Sequence, residues 1–329
     1  MSVLVTGGAG YIGSHMVLEL VEAGERVVVL DDLSTGFDEA VPREAVLVRG
    51  DAGDQDLVAR LIGEYGIDAI AHFAAKIVVP ESVADPLGYY LANTGKTRNL
   101  IEASVRAGVR HMIFSSTAAV YGDVTANPVS EDLTPAPVSP YGRSKLASEW
   151  MLADTAVAHD LNHVILRYFN VAGADPAGRI GQSTPRATHL IKVACQTALG
   201  QHPVLEVFGT DYPTPDGSCV RDFIQVSDLA RAHVAALAHL RAGGGCLTLN
   251  CGYGKGFSVL EVVAAVKRVS GVDFPVKLSP RRAGDPAAIV ADASRIRALL
   301  DWQPRYDDLD VIVSQALAWE KRLAQQSAA

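Results

Sequence analysis

Short apolar runs alternate with amphipathic stretches through the first half of the chain. Val3–Val5, Arg26–Leu30, Ala45–Val48, Ala69–Phe73, His111–Phe114 and His163–Leu166 read as strands. Residues near 12–23, 55–65, 94–107 and 141–158 carry helical spacing. Strands that alternate with helices in this way predict an α/β fold with a parallel, doubly wound sheet. Ligands of such sheets bind beyond the carboxyl ends of the strands, near the switch in strand order.

Two stretches break the rhythm. Residues 122–140 contain Pro128, Pro135, Pro137 and Pro140 and read as a loop. Residues 172–185 are rich in Gly, Pro and Ser and mark the passage into a smaller C-terminal α/β lobe. Beyond it the pattern predicts a helix near 187–199, a strand Leu205–Phe208 and a loop over 209–218. A strand Ile224–Val226, a helix near 228–241 and a strand Cys246–Asn250 read as one more βαβ unit. The expected division is 1–172 for the first domain, with about 222–251 returning to it, and 173–329 for the lobe. The tail from Gln325 reads as frayed.

Composition sharpens this picture. Of 329 residues 49% are hydrophobic but only 6% aromatic, as expected for strands covered on both faces. The net charge of −8, with no basic run, argues against a nucleic-acid or anionic-membrane surface. Cys195, Cys219, Cys246 and Cys251 form no CxxC pair, so neither a metal site nor a disulfide framework is expected. No signal peptide or transmembrane run is evident, and a cytoplasmic protein is expected.

The first strand runs into Gly7-Gly8-Ala9-Gly10-Tyr11-Ile12-Gly13 and then a helix. Glycines allow such a turn to approach a pyrophosphate, whose charge then sits at a helix N-terminus. Asp31 ends the second strand, where a carboxylate accepts from both ribose hydroxyls of an adenosine and repels a 2′-phosphate. The expected cofactor is therefore NAD. Asp32 shares the role or caps the next turn. Asp51 is placed to meet the adenine amino group, although Gly50-Asp51-Ala52-Gly53-Asp54 is also good turn chemistry.

Tyr141 and Lys145 form a YxxxK pair at the start of a helix, on one face. A free tyrosine, with pKa near ~10, is a poor base. A nearby ammonium and a nicotinamide cation would both favour its phenolate. The fifth strand ends in Ser115-Ser116-Thr117, where a hydroxyl can bond the oxygen that Tyr141 deprotonates. Asn93, upstream, can brace the site.

A glycine turn, a strand-end hydroxyl and YxxxK in this order resemble the extended short-chain dehydrogenase/reductase family over essentially the whole chain. Further segments resemble its nucleotide-sugar 4-epimerase branch. They are His72-Phe73-Ala74-Ala75, Ser115–Gly122, Leu166-Arg167-Tyr168-Phe169-Asn170, Val207–Gly217, Val220–Ile224 and Arg281-Arg282-Ala283-Gly284-Asp285-Pro286. The resemblance implies a Rossmann-type NAD domain. In it Gly7, Gly10, Tyr11, Ile12, Gly13, Asp31, Asp32, Asp51, Ala52, Phe73, Ala74, Asn93, Ser115, Tyr141, Lys145 and Tyr168 hold the cofactor. It implies that Tyr141, Lys145 and Thr117 act on the sugar. Asn170, His189, Leu190, Phe208, Arg221, Arg282 and Asp285 would hold the nucleotide, with Ile289 against the sugar. The implied reaction interconverts UDP-glucose and UDP-galactose, and relatives pair as homodimers through the helices near 94–107 and 141–158. Two departures stand out. Lys76 lies one place before the lysine position usual in the family, which Ile77 takes, and Thr117 replaces the more frequent serine.

Alternatives remain. An epimerase of an N-acetylhexosamine, pentose or uronate would share every feature named. A 4,6-dehydratase would need an Asp-Glu pair where Ala118 and Ala119 stand. A non-catalytic NAD-binding redox sensor would have no need of Tyr141, Lys145 and Thr117.

Overall fold

Ser2–Thr6, β1, is buried along its whole length. Its alternate side chains enter two different cores, as the two-residue period of a strand requires. Val3 and Val5 pack with Met16, Val17 and Leu20 on one face, whereas Leu4 packs with Leu61 and Leu100 on the other. The computed structural model describes residues 1–329 except Thr125, Pro185, Arg186, Ala283, Gly284 and Ala329.

Among the described residues, seven parallel strands form the main sheet. With labels in chain order they are β1, β2 (Arg26–Asp31), β3 (Val46–Arg49), β4 (Ala69–His72), β5 (His111–Thr117), β6 (Asn162–Tyr168) and β10 (Leu247–Cys251). Their spatial order is β3-β2-β1-β4-β5-β6-β10, so the winding reverses between β1 and β4. Thr6 lies opposite both Leu30 and His72, which puts the turn after β1 at that switch point. The architecture is the expected Rossmann-type, doubly wound one.

Helices α1 (Tyr11–Glu22), α2 (Gln55–Tyr65), α3 (Val79–Ala84), α4 (Pro86–Tyr90), α5 (Lys96–Arg106), α6 (Pro140–Ala158) and α8 (Val226–Arg241) cover this half. α6 starts at residue 140 for local reasons. The Ser139 hydroxyl accepts from the Gly142 N–H at 3.1 Å, and Pro140 takes the first turn, where its missing N–H costs nothing.

The smaller lobe is built on β9 (Val220–Gln225). It pairs with β7 (Asn170–Ala172), β11 (Gly256–Ser258) and β13 (Ala288–Ile289). A second, two-stranded sheet joins β8 (Leu205–Phe208) to β12 (Val276–Ser279). α7 (Leu190–Ala198), α9 (Val259–Ser270) and α11 (Leu309–Ala328) pack on one another, and α10 (Ser294–Leu299) lies beside β10. A buried pair, Lys192 with Glu320, fastens α7 to α11.

Several expectations are corrected. Ile224–Val226 is not the strand of a βαβ unit in the main sheet: β9 ends at Gln225 and belongs to the lobe, and Val226 already opens α8. Only β10 joins the main sheet, beside β6. The Gln225 side chain drives the switch, accepting from the Asp228 N–H at 3.1 Å as the cap of α8. The tail is not frayed from Gln325, because α11 continues to Ala328. The helix expected from 94 is entered through a π turn, Leu91–Gly95, preceded by α3 and α4. Among the described residues no helix is long and apolar enough to cross a membrane.

Candidate cofactor and active site

The glycine turn fits a pyrophosphate. Gly7 has φ +72°, and a Cβ on it would stand 2.6 Å from the Ala74 backbone nitrogen. A Cβ on Gly13 would collide with the Gly7 carbonyl oxygen, so α1 can lie close on β1 only with glycine there. A Cβ on Gly10 would meet only the Gly7 carbonyl, at 3.3 Å. Gly10 caps α1 with no side chain, and the first turn contains no acid. That leaves a helix N-terminus suited to an anion. Tyr11 and Ile12 lead this helix, and the Tyr11 hydroxyl donates to the Gly173 carbonyl at 2.7 Å, tying the turn to the second lobe.

Asp31 is buried at the end of β2. Its carboxylate accepts from the Ala9 and Leu33 N–H groups, each at 2.9 Å. Burial raises its pKa, and these two bonds oppose the rise. Leu33 holds φ 58°, unusual for a branched side chain and a mark of strain at a working site. Asp32 is exposed and accepts from the Ser34 N–H at 2.9 Å, the capping reading. Asp51, followed by the buried Ala52, accepts from the Gly53 N–H at 2.8 Å and pairs with Lys96 at 2.6 Å. Burial raises its pKa, but Lys96 and Gly53 outweigh that and hold it below the usual carboxylate range. Lys96 was not anticipated, and an adenine amino group would share Asp51 with it.

Phe73 and Ala74 follow β4 at the switch point. The Phe73 N–H donates to the Thr6 carbonyl at 2.9 Å, and the Phe73 ring lies 4.9 Å from that of His233. His233 donates through Nδ1 to the Leu229 carbonyl at 2.8 Å, which leaves Nε2 to accept from the Tyr168 hydroxyl. Burial lowers His233 to about 4, so the ring is neutral, and it pushes Tyr168 well up.

Asn93 braces rather than presenting a free amide to a cofactor. Its Nδ2 donates to the Lys76 carbonyl at 2.9 Å and to Ser144 Oγ at 3.1 Å, and its Oδ1 accepts from the Lys76 N–H at 2.8 Å. Both donor hydrogens are spent within the protein. The Lys76 ammonium lies 3.6 Å from Asp85.

The carboxyl end of β5 brings the acid–base residues together. The Thr117 hydroxyl lies near Tyr141 and favours its phenolate, and Lys145 Nζ donates to the Ser115 carbonyl at 2.8 Å. Lys145 is 3% exposed and lies 4.9 Å from the Phe114 ring centre. Burial pushes it down to about 7, against the pull of Glu149. Burial raises the Tyr141 phenol, and the nearby Thr117 hydroxyl partly offsets this. The expected help from Lys145 is not expressed by the chain alone, whose Lys145 ammonium is held by a backbone carbonyl.

The nucleotide residues fall into three groups. Asn170, His189 and Leu190 line one pocket between β7 and α7. His189 Nδ1 accepts from Gln182 Nε2 at 2.8 Å, and burial keeps the ring neutral. Arg282 stacks over Phe208 at 3.8 Å, so one ring face expected to meet a base is covered by a guanidinium. Arg221 donates to the Val220 and Pro286 carbonyls at 2.9 and 2.8 Å and lies 3.7 Å from Asp285. The expected phosphate-clamping arginines are thus engaged with the lobe itself. Ala283 and Gly284 of that segment lie outside the described residues. Ile289 sits opposite Arg221 in register and packs, buried, in a cluster with Ala118, Leu146 and Phe169.

Sequence reasoning missed two groups of residues. His72 is buried between Thr6 and Thr97, at 2.6 and 2.8 Å. Beneath β5, Glu149, Arg167, Ser116, Tyr121 and Asn250 form a buried polar network. No local motif joins these five, since their partners lie 18 to 129 residues apart.

This fold and site define a dinucleotide-dependent enzyme of the short-chain dehydrogenase type. The model of the "NAD dependent epimerase/dehydratase family" matches residues 3–252. A UDP-glucose 4-epimerase of Azospirillum brasilense is 57% identical, the match covering 98% of this chain and 93% of the relative. The structure of UDP-glucose 4-epimerase from Brucella ovis in complex with NAD superimposes with a TM-score of 0.94 at 46% identity, covering 96% and 97% of the two chains. That of the UDP-Glc/GlcNAc 4-epimerase from Campylobacter jejuni gives 0.86 at 49% identity, covering 98% and 99%. The chain belongs to the NAD-dependent epimerase/dehydratase family, and its cofactor is NAD.

A Gly13→Ala variant tests the turn. NAD(H) released on denaturation of the purified wild type should be nearly equimolar with protein and contain little NADP(H). The variant should release at least about tenfold less, from a misfit of ~2 kcal/mol. Equal recovery would show that the turn is not the phosphate seat.

Proposed function

We propose that this enzyme interconverts UDP-glucose and UDP-galactose, with Tyr141 as the acid–base group. The convergence of Thr117, Tyr141 and Lys145 at the carboxyl end of β5, on the same sheet edge as the glycine turn, carries this reading. Residues 1–172, with α8 and β10 returning to them, serve the dinucleotide, and the rest of 173–329 serves the UDP-sugar. The turn at Gly7, Gly10, Tyr11, Ile12 and Gly13 would seat the pyrophosphate, with Asp31 and Asp51 at the adenosine. Bound NAD supplies the hydride acceptor and donor and, when oxidised, a positive charge that favours the Tyr141 phenolate.

Tyr141 takes the proton of the sugar 4-hydroxyl, and Thr117 holds the same oxygen. The 4-keto sugar turns about its bond to the diphosphate and presents its other face. Tyr141 then returns the proton. Asn170, His189, Leu190, Phe208, Arg221, Arg282 and Asp285 hold the nucleotide throughout. For Arg282 this means leaving Phe208, so the ring is uncovered as the guanidinium turns to phosphate. The sugar itself is held loosely, because both C4 epimers must fit.

The surface supports a cytoplasmic homodimer. Trp150 and Val157 on α6 are 61% and 92% exposed, and Leu87 and Leu91 beside it are 80% and 66% exposed. Apolar exposure clustered on neighbouring elements suits a two-fold interface. The four cysteines are free thiols, which suits a reducing compartment. Light scattering at micromolar concentration should give twice the chain mass, and Trp150→Glu should lower it to one. A wild-type monomer would contradict the dimer.

Tyr141→Phe should fold and bind UDP, with UDP-galactose turnover reduced by at least ~10²-fold, the scale of general acid–base catalysis. Near-normal turnover would overturn the mechanism.

Ile289 is proposed to border the sugar at its 2-substituent. It shares a buried cluster with Ala118 and with Leu146 of α6, which supports this reading, and its χ1 is stiff. Overpacking by an N-acetyl group costs ~1–3 kcal/mol, which discriminates without excluding. UDP-N-acetylhexosamines should be turned over weakly. Ile289→Tyr should abolish that activity and spare the UDP-hexose reaction. Unchanged N-acetylhexosamine turnover in the variant would remove Ile289 from the pocket.

A further inference from the structure

One turn beyond Lys145 on α6, Glu149 lies 4% exposed. Arg167 of β6, 6% exposed, grips it with two donors, Nε at 3.1 Å and an Nη at 2.6 Å. The remaining Arg167 Nη donates to the Tyr121 hydroxyl at 3.0 Å, and that hydroxyl donates to Asn250 Oδ1 at 2.6 Å. Glu149 Oε1 also accepts from the hydroxyl of Ser116, the residue before Thr117. One buried carboxylate therefore touches the strand end that carries the strand hydroxyl and the helix that carries Tyr141 and Lys145. A buried ion pair costs several kcal/mol of desolvation per ion and is seldom a gain in stability over apolar packing. Its position next to three reacting groups calls for another reason.

We propose that the Glu149–Arg167 pair is a positioning element of the reaction, fixing the Thr117 strand end against α6 and supplying the negative neighbour that keeps Lys145 an ammonium. The proposal rests on the acid–base reading of Tyr141 given above. The other titratable groups about the Tyr141–Lys145 pair bring it no negative charge. His72 of β4 is buried and neutral, pushed down to about 3. Tyr141 of α6, Tyr168 of β6 and Tyr89 of α4 are phenols raised by burial. Among the groups that act on Lys145, Glu149 is the one that holds its proton on. Arg167 pairs with Glu149 and holds its carboxylate in place one helical turn from Lys145.

The test is the pH dependence of kcat for UDP-galactose in the NAD-loaded enzyme. Wild type should lose activity at high pH as Lys145 deprotonates. In Glu149→Gln, which keeps the size and an acceptor oxygen, this basic limb should move down by about one pH unit, a tenfold change in the Lys145 equilibrium. Glu149→Asp keeps the charge and should return the limb toward its wild-type position even if turnover stays low. If Glu149→Gln fails to fold because Arg167 is left unpaired, the double variant Glu149→Gln/Arg167→Gln should show the same downward limb. A folded variant whose turnover falls equally at every pH, with the limb unmoved, would reduce the pair to a packing feature and overturn the proposal. Tyr141→Phe reports separately on the acid–base reading, so the two failures are distinguishable.

Discussion

A side chain at residue 7 would stand 2.6 Å from the backbone nitrogen of Ala74, and the rest of the carboxyl edge depends on that close approach. β1 and β4 are adjacent and parallel, yet their exits lead opposite ways around the sheet. A crevice opens only if one exit is a bare backbone that can bend at positive φ against the other. Gly7 supplies this bend, and the Ala74 N–H donates to the Thr6 carbonyl at 3.1 Å to close it. From that point α1 presents its N-terminus to the crevice, β2 delivers Asp31 beside it, and β5, next to β4, delivers Thr117.

Burial then sets the chemistry of what the crevice collects. Taking Tyr141 and Lys145 out of water raises the phenol and lowers the ammonium, so each is pushed toward its neutral form. Two neutral groups would make a poor base and no electrostatic help. The protein counters desolvation locally: the nearby Thr117 hydroxyl favours the phenolate, and the Glu149 carboxylate favours the ammonium.

The parallel sheet was legible in the sequence because its strands are apolar on both faces and its helices carry a clear period; Val3 to Val5 and Arg26 to Leu30 differ from β1 and β2 by one residue at an end or two. The glycine turn, Asp31, Tyr141, Lys145 and Thr117 were legible because each stands at a strand end or helix start with a spacing that chemistry dictates. The lobe was not. β9 and α8 are continuous at Gln225 and Val226, so no turn residue announces where one sheet is left for the other. β11 and β13, of three and two residues, are shorter than any periodicity can reveal. Arg282 over Phe208 and Lys96 on Asp51 are long-range pairings of mobile side chains, and a one-dimensional pattern does not encode which partner such a cation takes.

The proline-rich stretch 122–140 shows why a loop can be unreadable and still be ordered. Among its described residues there is no helix or strand before α6, yet they bond to the chain after β13 and to β10. The Val129 N–H donates to the Val290 carbonyl at 2.8 Å, and the Asp292 N–H donates to the Val129 carbonyl at 2.7 Å. Asn127 Oδ1 accepts from the Val290 N–H at 2.9 Å, and Glu131 accepts from the Asn250 N–H at 2.8 Å. The same loop ends at Ser139, the cap of α6. Its prolines restrict the chain between these anchors and lower the entropy lost on ordering it. The segment bearing Ile289 and the helix bearing Tyr141 are therefore joined through a hydrogen-bonded strap. Ile289 and Tyr141 are thus set by one structural unit, and α7 and β8 lie outside it.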